Sequence, residues 1–372
     1  MQTFYYEVIV GGSVMISGSS LSDVQSITIN DADGEGSDTA SITLDNTDDR
    51  IFGPQKNDPV MIRIGRTRAG MVTRFIGFVD RPAMSGSVGG GRICTVNCSS
   101  GDPTSKSKEP LQLSYKRKSI EHILGDAAKK ADLMTPKIDQ SIAKIIRDDE
   151  LFDGESFEEG SYRIAKELGA RFKLFGRVPV LVAANSGQSV SGQTLPTVQA
   201  TWGVNLISWQ ITPRVSRANY QKQSAPWFDF EKGEWAIADV DQKEDGKAKA
   251  QRPGARATEA EAKQSATSEK DGADRADGTG TVTLDGDANI FAGAPLVLSG
   301  ADSLSDGTYR IKSCNMTLST GGWIANCHVE QPQGEAGKDK RKPKKTANST
   351  SSTKSTTPSK ISNYAEKWYG NG

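Results

Sequence analysis

The chain predicts a mainly β protein with an α+β insert, built on two similar β-barrel units. Three observations point there. Short alternating strands bounded by turn residues fill residues 4–100. Their order returns near residue 280. Helical periodicity and capping signals concentrate in a stretch between the two copies.

The first copy reads Ser41–Asp45, Pro59–Gly65, Phe75–Val79 and Gly90–Cys98; the second reads Thr281–Asp285, Pro295–Gly300, Tyr309–Lys312 and Gly321–Val329, with shorter connections. A duplicated β-unit gives each subunit two alike surfaces. Before residue 100, strands are expected at 4–17, 23–30, 39–45, 59–66, 72–83 and 91–99, separated by Gly11-Gly12, Asp31 to Gly34, Asp48-Asp49, Arg68 to Gly70 and Gly86 to Gly91. Val60, Ile62 and Ile64 alternate with Met61 and Arg63, so one face is buried and the other wet.

Between 101 and 185, Ser119 caps a helix through about Ala131 with Ile120, Ile123, Leu124 and Ala127 on one face. Ser156 to Glu159 has the capping-box form, and Gly169 ends the helix that follows. Arg171–Phe175 and Pro179–Ala183 read as a hairpin. Four tryptophans, Trp202, Trp209, Trp227 and Trp235, crowd residues 198–237 as core or as a sugar platform. Residues 241–279 lack Phe, Trp, Tyr, Ile, Leu and Val and read as a linker or a solvated Ala-rich helix. The division is therefore 1–100, first β-unit; 101–185, insert; 186–240 with 280–331, second β-unit; 241–279, linker; and 332–372, a basic Ser/Thr-rich tail.

Lys+Arg and Asp+Glu both count 46 in 372 residues, so bulk charge selects neither nucleic acid nor an anionic membrane. No run approaches the roughly 18 apolar residues of a membrane span and no signal-peptide pattern opens the chain, which suggests a protein kept in the cytoplasm. Of the four cysteines, Cys94 and Cys98 lie roughly 13 Å apart on one strand face, too far to bridge. A hairpin turning through Ser319 to Gly322 sets Cys314 opposite Cys327 with Cβ atoms about 4.5–5.5 Å apart. Both a disulfide and a pair of reduced, buried thiols fit that spacing.

No catalytic pattern is complete. His122 and His328 sit in no zinc or metalloprotease spacing, and no Gly-x-Ser-x-Gly elbow or phosphate loop is present. Asp31 to Gly36 and Asp285 to Asn289 open like calcium loops, but Ile42 and Leu296 hold the twelfth places, so both read as turns. The tail carries Lys338 to Lys345, a spacer or a nucleic-acid contact, and ends on Tyr364, Trp368 and Tyr369, candidate aromatic anchors for a partner's groove.

Asp33 to Asn46, the following Gly53-Pro54, the strand Phe75–Asp80 and Ser114-Tyr115 with its helix resemble the late control protein D family of contractile-tail phages. So do Gly307–Ile311 and Leu318–Trp323. The resemblance covers about 1–185 and 280–331. It implies a baseplate hub in the virion tail, assembled in the host cytoplasm: a homotrimer whose two tail-tube-like barrel units per subunit make six lobes. The tail tube protein would meet one face and the spike protein the other, with other baseplate proteins and the tape measure protein nearby. DNA would pass through the lumen after the spike leaves. The implied role is structural, with no catalytic, cofactor or metal residues and no membrane insertion. A baseplate-associated cell-wall hydrolase, or a monomeric carbohydrate-binding adhesin using Trp202, Trp209 and Trp227, are the alternatives.

Overall fold

The computed structural model describes residues 4–330, apart from 20, 22, 34–36, 50, 52, 103, 185–193, 213–219, 243–247, 252–253 and 276–277. The first unit comprises β1 (Tyr5–Val10), β2 (Ser13–Gly18), β3 (Val24–Ala32), β4 (Thr39–Asp45), β5 (Pro59–Gly65), β6 (Val72–Ser87) and β7 (Gly91–Ser99). The insert comprises β8 (Pro110–Ser119), α1 (Ile120–Lys130), β9 (Lys137–Ile138), α2 (Gln140–Ala143), β10 (Ile146–Ser156), α3 (Phe157–Leu168), β11 (Ala170–Phe175) and β12 (Val178–Ala183). There follow β13 (Val198–Thr201), β14 (Leu206–Thr212), β15 (Tyr220–Asp229), β16 (Glu234–Asp241), β17 (Ala248–Gln251), α4 (Glu259–Arg275), β18 (Thr279–Asp285), β19 (Pro295–Ser299), β20 (Gly307–Ser319) and β21 (Gly322–Glu330).

The two units share one 13-stranded sheet, in the order β14-β18-β21-β20-β3-β4-β7-β6-β5-β1-β2, with β19 on β20 and β13 on β19. Among the described pairings neither unit closes into a ring of strands. A single apolar core runs through both, including fully buried Ile27, Ile29, Ile42, Leu44, Val282, Leu284, Met316 and Leu318. Each such aliphatic side chain contributes about 1.5–3 kcal/mol by leaving water.

The duplication extends to the irregularities. β4 pairs with β7, β7 with β6 and β6 with β5; β18 pairs with β21, β21 with β20 and β20 with β19. A bulge between Val79 and Arg81 on β6 matches one between Ile311 and Ser313 on β20. A second, between Val24 and Ser26 on β3, matches one between Leu206 and Ser208 on β14. Bulges re-aim a strand, so a shared bulge means a shared course. The outermost strands differ: β1 runs antiparallel to β5, whereas β13 runs parallel to β19.

In the insert, Ser119 caps α1 and the Ser156–Glu159 box caps α3, which ends at Gly169 in the left-handed conformation, φ 63°. Residues 220–241 pair with each other and with β17, apart from the second unit's strands. Helix α4 packs on that small sheet through Ala262 and Ala266 against Ala225 and Ala238. The Ala-rich sequence is thus partly buried: methyl side chains let a helix lie close to a sheet without large apolar residues. Arg147 reaches Glu167 at 2.9 Å and Glu261 at 3.5 Å, pinning α4 to the insert.

Candidate assembly interface

The joint between units is the antiparallel pair β3–β20. Ile27 stands opposite Leu318 and Ile29 opposite Met316 on the core side. On the other side Thr28 meets Thr317 and Asn30 meets Asn315. A buried ionic cluster locks one end. Lys173 on β11 reaches Asp31 at 2.7 Å and Asp38 at 3.0 Å, and Arg74 on β6 reaches Asp31 at 3.4 Å. Arg74 also donates to the Ile290 carbonyl at 2.6 Å and lies 3.8 Å from the Phe291 ring centre. Arg310 on β20 pairs with Asp33 and Glu330, and Arg171 with Asp33.

Burial pushes the Asp31 carboxyl up, but Lys173, Arg74 and the Ala292 N–H outweigh it and hold the group below its ordinary range. For Asp38 burial prevails and the shift is upward, with the charge of Asp31 adding to it. First unit, insert and second unit therefore meet on charges that have left water together.

The internal repeat identifies an equivalent of each half of this joint. β14 corresponds to β3, and residues 79–87 of β6 correspond to 311–319 of β20. On β20 the edge facing away from β21 is covered by β19 at 307–310 and by β3 at 313–319. On β6 the same edge is covered by β5 at 72–78, and residues 83–87 have no strand beside them among the described residues. The outer edge of β14 is open in the same sense. Met84 takes the place of buried Met316 yet is 56% exposed. Met84, Ser85 and Gly86 border an open groove of about 550 Å³ with Ile51 and Gly53. On β14, Trp209 and Ile211 are half-buried, Ile207 is exposed, and Trp209 meets exposed Trp202 edge-on at 4.9 Å.

Eight strands, β14 to β6 along the path, share a face opposite the core, exposed or half-buried along most of its length and covered at Arg310 and Glu330. Its side chains are Ser, Thr, Asn and Gln, with Ile93, Ile324, Ala83 and His328 among them. The charged groups on this face are Asp45 and Asp285 at the ends of β4 and β18, Arg81 opposite Asn97 within β6, and, toward the insert, exposed Lys312 at the β20 bulge with the Arg310–Glu330 pair. Side chains bond one another across strands: Asn315 to Asn30, Asn30 to Thr39 at 3.2 Å and Ser41 to Asn97 at 3.1 Å.

Cys314 faces Cys327 across the β20–β21 hairpin with sulfurs 3.4 Å apart; both are buried free thiols. The hydrogen bond shared with Cys327 and burial both favour the protonated thiol and raise the Cys314 pKa. Tyr364, Trp368, Tyr369 and the lysine cluster lie outside the described residues. The tryptophans divide: Trp209 packs on the main core and Trp227 on the α4 cluster, while Trp202 and Trp235 are 52% and 67% exposed. Asp31 and Asp33, read as turn residues, are held by cations, and Asp287 accepts from the Asn289 N–H as an Asx turn does. Among the described residues no His/Cys/Asp/Glu cluster suits a metal, and no helix is long and apolar enough to cross a membrane. Sequence reasoning missed Arg74, Lys173 and Arg171 because each partner lies far along the chain. It also missed Met84 and Gly86, although aligning Ser87 with Ser319 in the repeat would have exposed them.

No protein-family model matches the chain and no curated protein matches it in sequence. Solved structures do match its fold. The 43 kDa tail protein of prophage MuSo2 from Shewanella oneidensis is similar over 89% of this chain and 99% of its own, with TM-score 0.66 at 15% identity. A tail protein from Neisseria meningitidis MC58 covers 88% and 97%, with TM-score 0.66 at 12% identity. An E. coli component of the type VI secretion system, described as structurally similar to T4 bacteriophage tail proteins gp27 and gp5, covers 89% and 78%, with TM-score 0.56 at 10% identity. The chain therefore has the fold of phage tail proteins.

Proposed function

We propose that this chain is the structural baseplate hub of a contractile tail, a homotrimer whose six β-units form a pseudo-sixfold ring between a sixfold tail tube and a threefold spike. The observation that carries the reading is the duplicated joint with its two open halves. β3 of one unit occupies an edge of β20 of the next within the chain; β14 and residues 83–87 of β6 are the same two edges, unoccupied among the described residues. Exposed edges of this kind invite strand pairing. A second copy supplies the fit: by the β3–β20 register, Ser85 of one subunit meets Gln210 of the next, Met84 meets Ile211, and Gly86 leaves room for Trp209. The contact is head-to-tail, so it closes into a ring or grows into a filament. The fold likeness to tail proteins and the late control protein D resemblance favour three subunits and closure, with each unit acting as a tail-tube-like barrel completed by its neighbours.

The role is symmetry adaptation without catalysis. Partners on this reading are the tube and spike proteins, other baseplate proteins and a tape measure chain, with the tail ending in Tyr364, Trp368 and Tyr369 anchoring one of them. Deleting residues 332–372 should then leave the ring intact and weaken spike capture.

Cross-linking tests the ring. The variant carrying Ser85→Cys and Gln210→Cys should give a covalent closed trimer on mild oxidation, because directly opposite Cβ atoms lie about 4.5–5.5 Å apart. Each single variant should give none, and their mixture only dimers. Electron microscopy of the purified chain should show a threefold ring with six lobes. A persistent monomer would favour the hydrolase or adhesin reading.

A further inference from the structure

We propose that Cys314 and Cys327 are a latent cross-strand disulfide: two thiols while the chain is made in a reducing compartment, and one covalent tie across the β20–β21 hairpin once its surroundings turn oxidising. The pairing rests on the fold alone. Its timing, thiols during assembly and a disulfide in the released tail, rests on the hub reading above. The two residues stand directly opposite each other in the antiparallel register, with sulfurs 3.4 Å apart. Opposed residues in such a pair have Cα atoms about 4.5–5.5 Å apart, inside the roughly 4.4–6.8 Å that a disulfide spans. A bond of about 2.05 Å asks each sulfur to move by only roughly 0.7 Å.

The other two cysteines have no such placement. Cys94 faces Leu44 and Met84, and Cys98 faces Ala40 and Val79, so neither has a sulfur opposite it. At the repeat's equivalent of the pair, Pro82 faces Val96. The first unit thus fills these two places without sulfur, and the second unit carries a reactive pair where the first has inert side chains. Position adds to the argument. On the core side the row Asp31, Cys314, Cys327, Val282 crosses β3, β20, β21 and β18. A bond within that row ties the hairpin beside the carboxylate that fastens one unit to the other.

With a low-molecular-weight disulfide as oxidant the step balances. One cysteine thiolate attacks a sulfur of the oxidant, forming a mixed disulfide and releasing one small thiolate; the second cysteine sulfur attacks the first and releases the other. Two protons pass from the cysteines to the released thiolates, and two electrons pass from the pair to the oxidant. Cys314 is 1% exposed and Cys327 fully buried, and the Cys314 pKa is raised, so attack waits until the hairpin opens or is still folding. The same burial shields the finished bond from reductant. The tie is slow to form and slow to lose, which suits a structural part that must persist outside the cell.

The test uses the full unsubstituted chain, refolded from urea in reduced and in oxidised glutathione so that burial does not limit exchange. Free thiols are counted after denaturation, and a non-reducing peptide map locates any link. The reduced buffer should leave all four thiols and the oxidised buffer only Cys94 and Cys98, with Cys314 joined to Cys327. Dithiothreitol should cleave the link at least about tenfold more slowly in the folded chain than in urea. The linked chain should have the higher urea midpoint. Cys314→Ala with Cys327→Ala should abolish that difference, whereas Cys94→Ala with Cys98→Ala should keep it; where an alanine variant fails to fold, the map of the unsubstituted chain decides. Four thiols after the oxidised buffer, a glutathione adduct left on Cys314 or Cys327, or a link through Cys94 or Cys98 would overturn the pairing. A lower midpoint on closure would overturn the stabilising tie. None of these readouts needs a ring, so failure of the hub reading would remove the timing and leave the pairing to stand or fall on its own map.

Discussion

At the β3–β20 joint Ile29 stands opposite Met316 and both are fully buried; at the corresponding places on the open edges, Ile211 is half-buried and Met84 is 56% exposed. The strands carry the same bulges, so backbone course does not separate the two sites. What separates them is the ionic cluster. Among the described residues, Asp31, Arg74 and Lys173 fasten the joint inside the chain, where folding must bring unit, insert and unit together. If the proposed ring forms, the joint between chains rests instead on an apolar contact that can stay hydrated until a partner arrives. The outer strands β1 and β13, free of this demand, run in opposite senses relative to their neighbours.

The largest expected effect on single-chain stability comes from breaking the cluster. Asp31→Ala leaves Arg74 and Lys173 buried without their shared carboxylate, and removing one partner of a buried pair costs about 3–5 kcal/mol. Urea unfolding of the full chain should show that loss. A change under about 1 kcal/mol would mean water reaches the cluster.

Next come the equivalent isoleucines. Ile29→Ala should cost about 2–5 kcal/mol in the isolated chain, as large-to-small core changes do. Ile211→Ala should cost less than half as much, because part of that side chain is still in water. In the assembled ring the two costs should converge. Equal costs in the monomer would mean that the β14 edge is already complete.

A smaller effect follows from pH. The Asp31 carboxyl is held low in the folded chain, so its stabilising contribution is present above the ordinary carboxylate range and is lost as pH falls through the depressed value. Asp38 has the opposite sign: its pKa is raised, so the cost of its buried charge is relieved as pH falls through that value. Urea midpoints followed downward from neutral pH should therefore hold or rise slightly before they fall. Asp31→Asn should remove the final acid limb. An unchanged limb would assign acid unfolding to other carboxylates.

Local signals made much of this fold legible. The strand alternation of β4 and β7, the caps at Ser119 and Ser156, and the hairpin arithmetic that set Cys314 opposite Cys327 all depend on neighbours within a few residues or one turn. The repeat was visible because Thr-x-Thr/Ser-x-Thr-Leu-Asp returns at β18. The cluster was not, since Lys173 lies 142 residues from Asp31 and no period links them. Nor was the small α4 layer, because an alanine face buries little area per residue and leaves no hydrophobic pattern to read. The open edges fall between these cases: the sequence holds both copies, but only the strand order shows which copy has a neighbour.

The smallest effect on the single chain, and the sharpest division between the two sites, should come from Met84→Glu. Met84 is exposed in the lone subunit, and an exposed substitution of this kind changes stability by within about 0.5 kcal/mol. Its equivalent Met316 sits at the centre of a closed joint, where the same change would bury an unpaired carboxylate. If ring assembly turns the first site into a copy of the second, the Met84→Glu chain should unfold at the unsubstituted midpoint yet remain monomeric at concentrations where the unsubstituted chain is trimeric. Sedimentation and urea titration on one preparation read both quantities. Normal trimers would show that β6 does not meet β14, whereas a destabilised monomer would show that Met84 already packs within its own subunit.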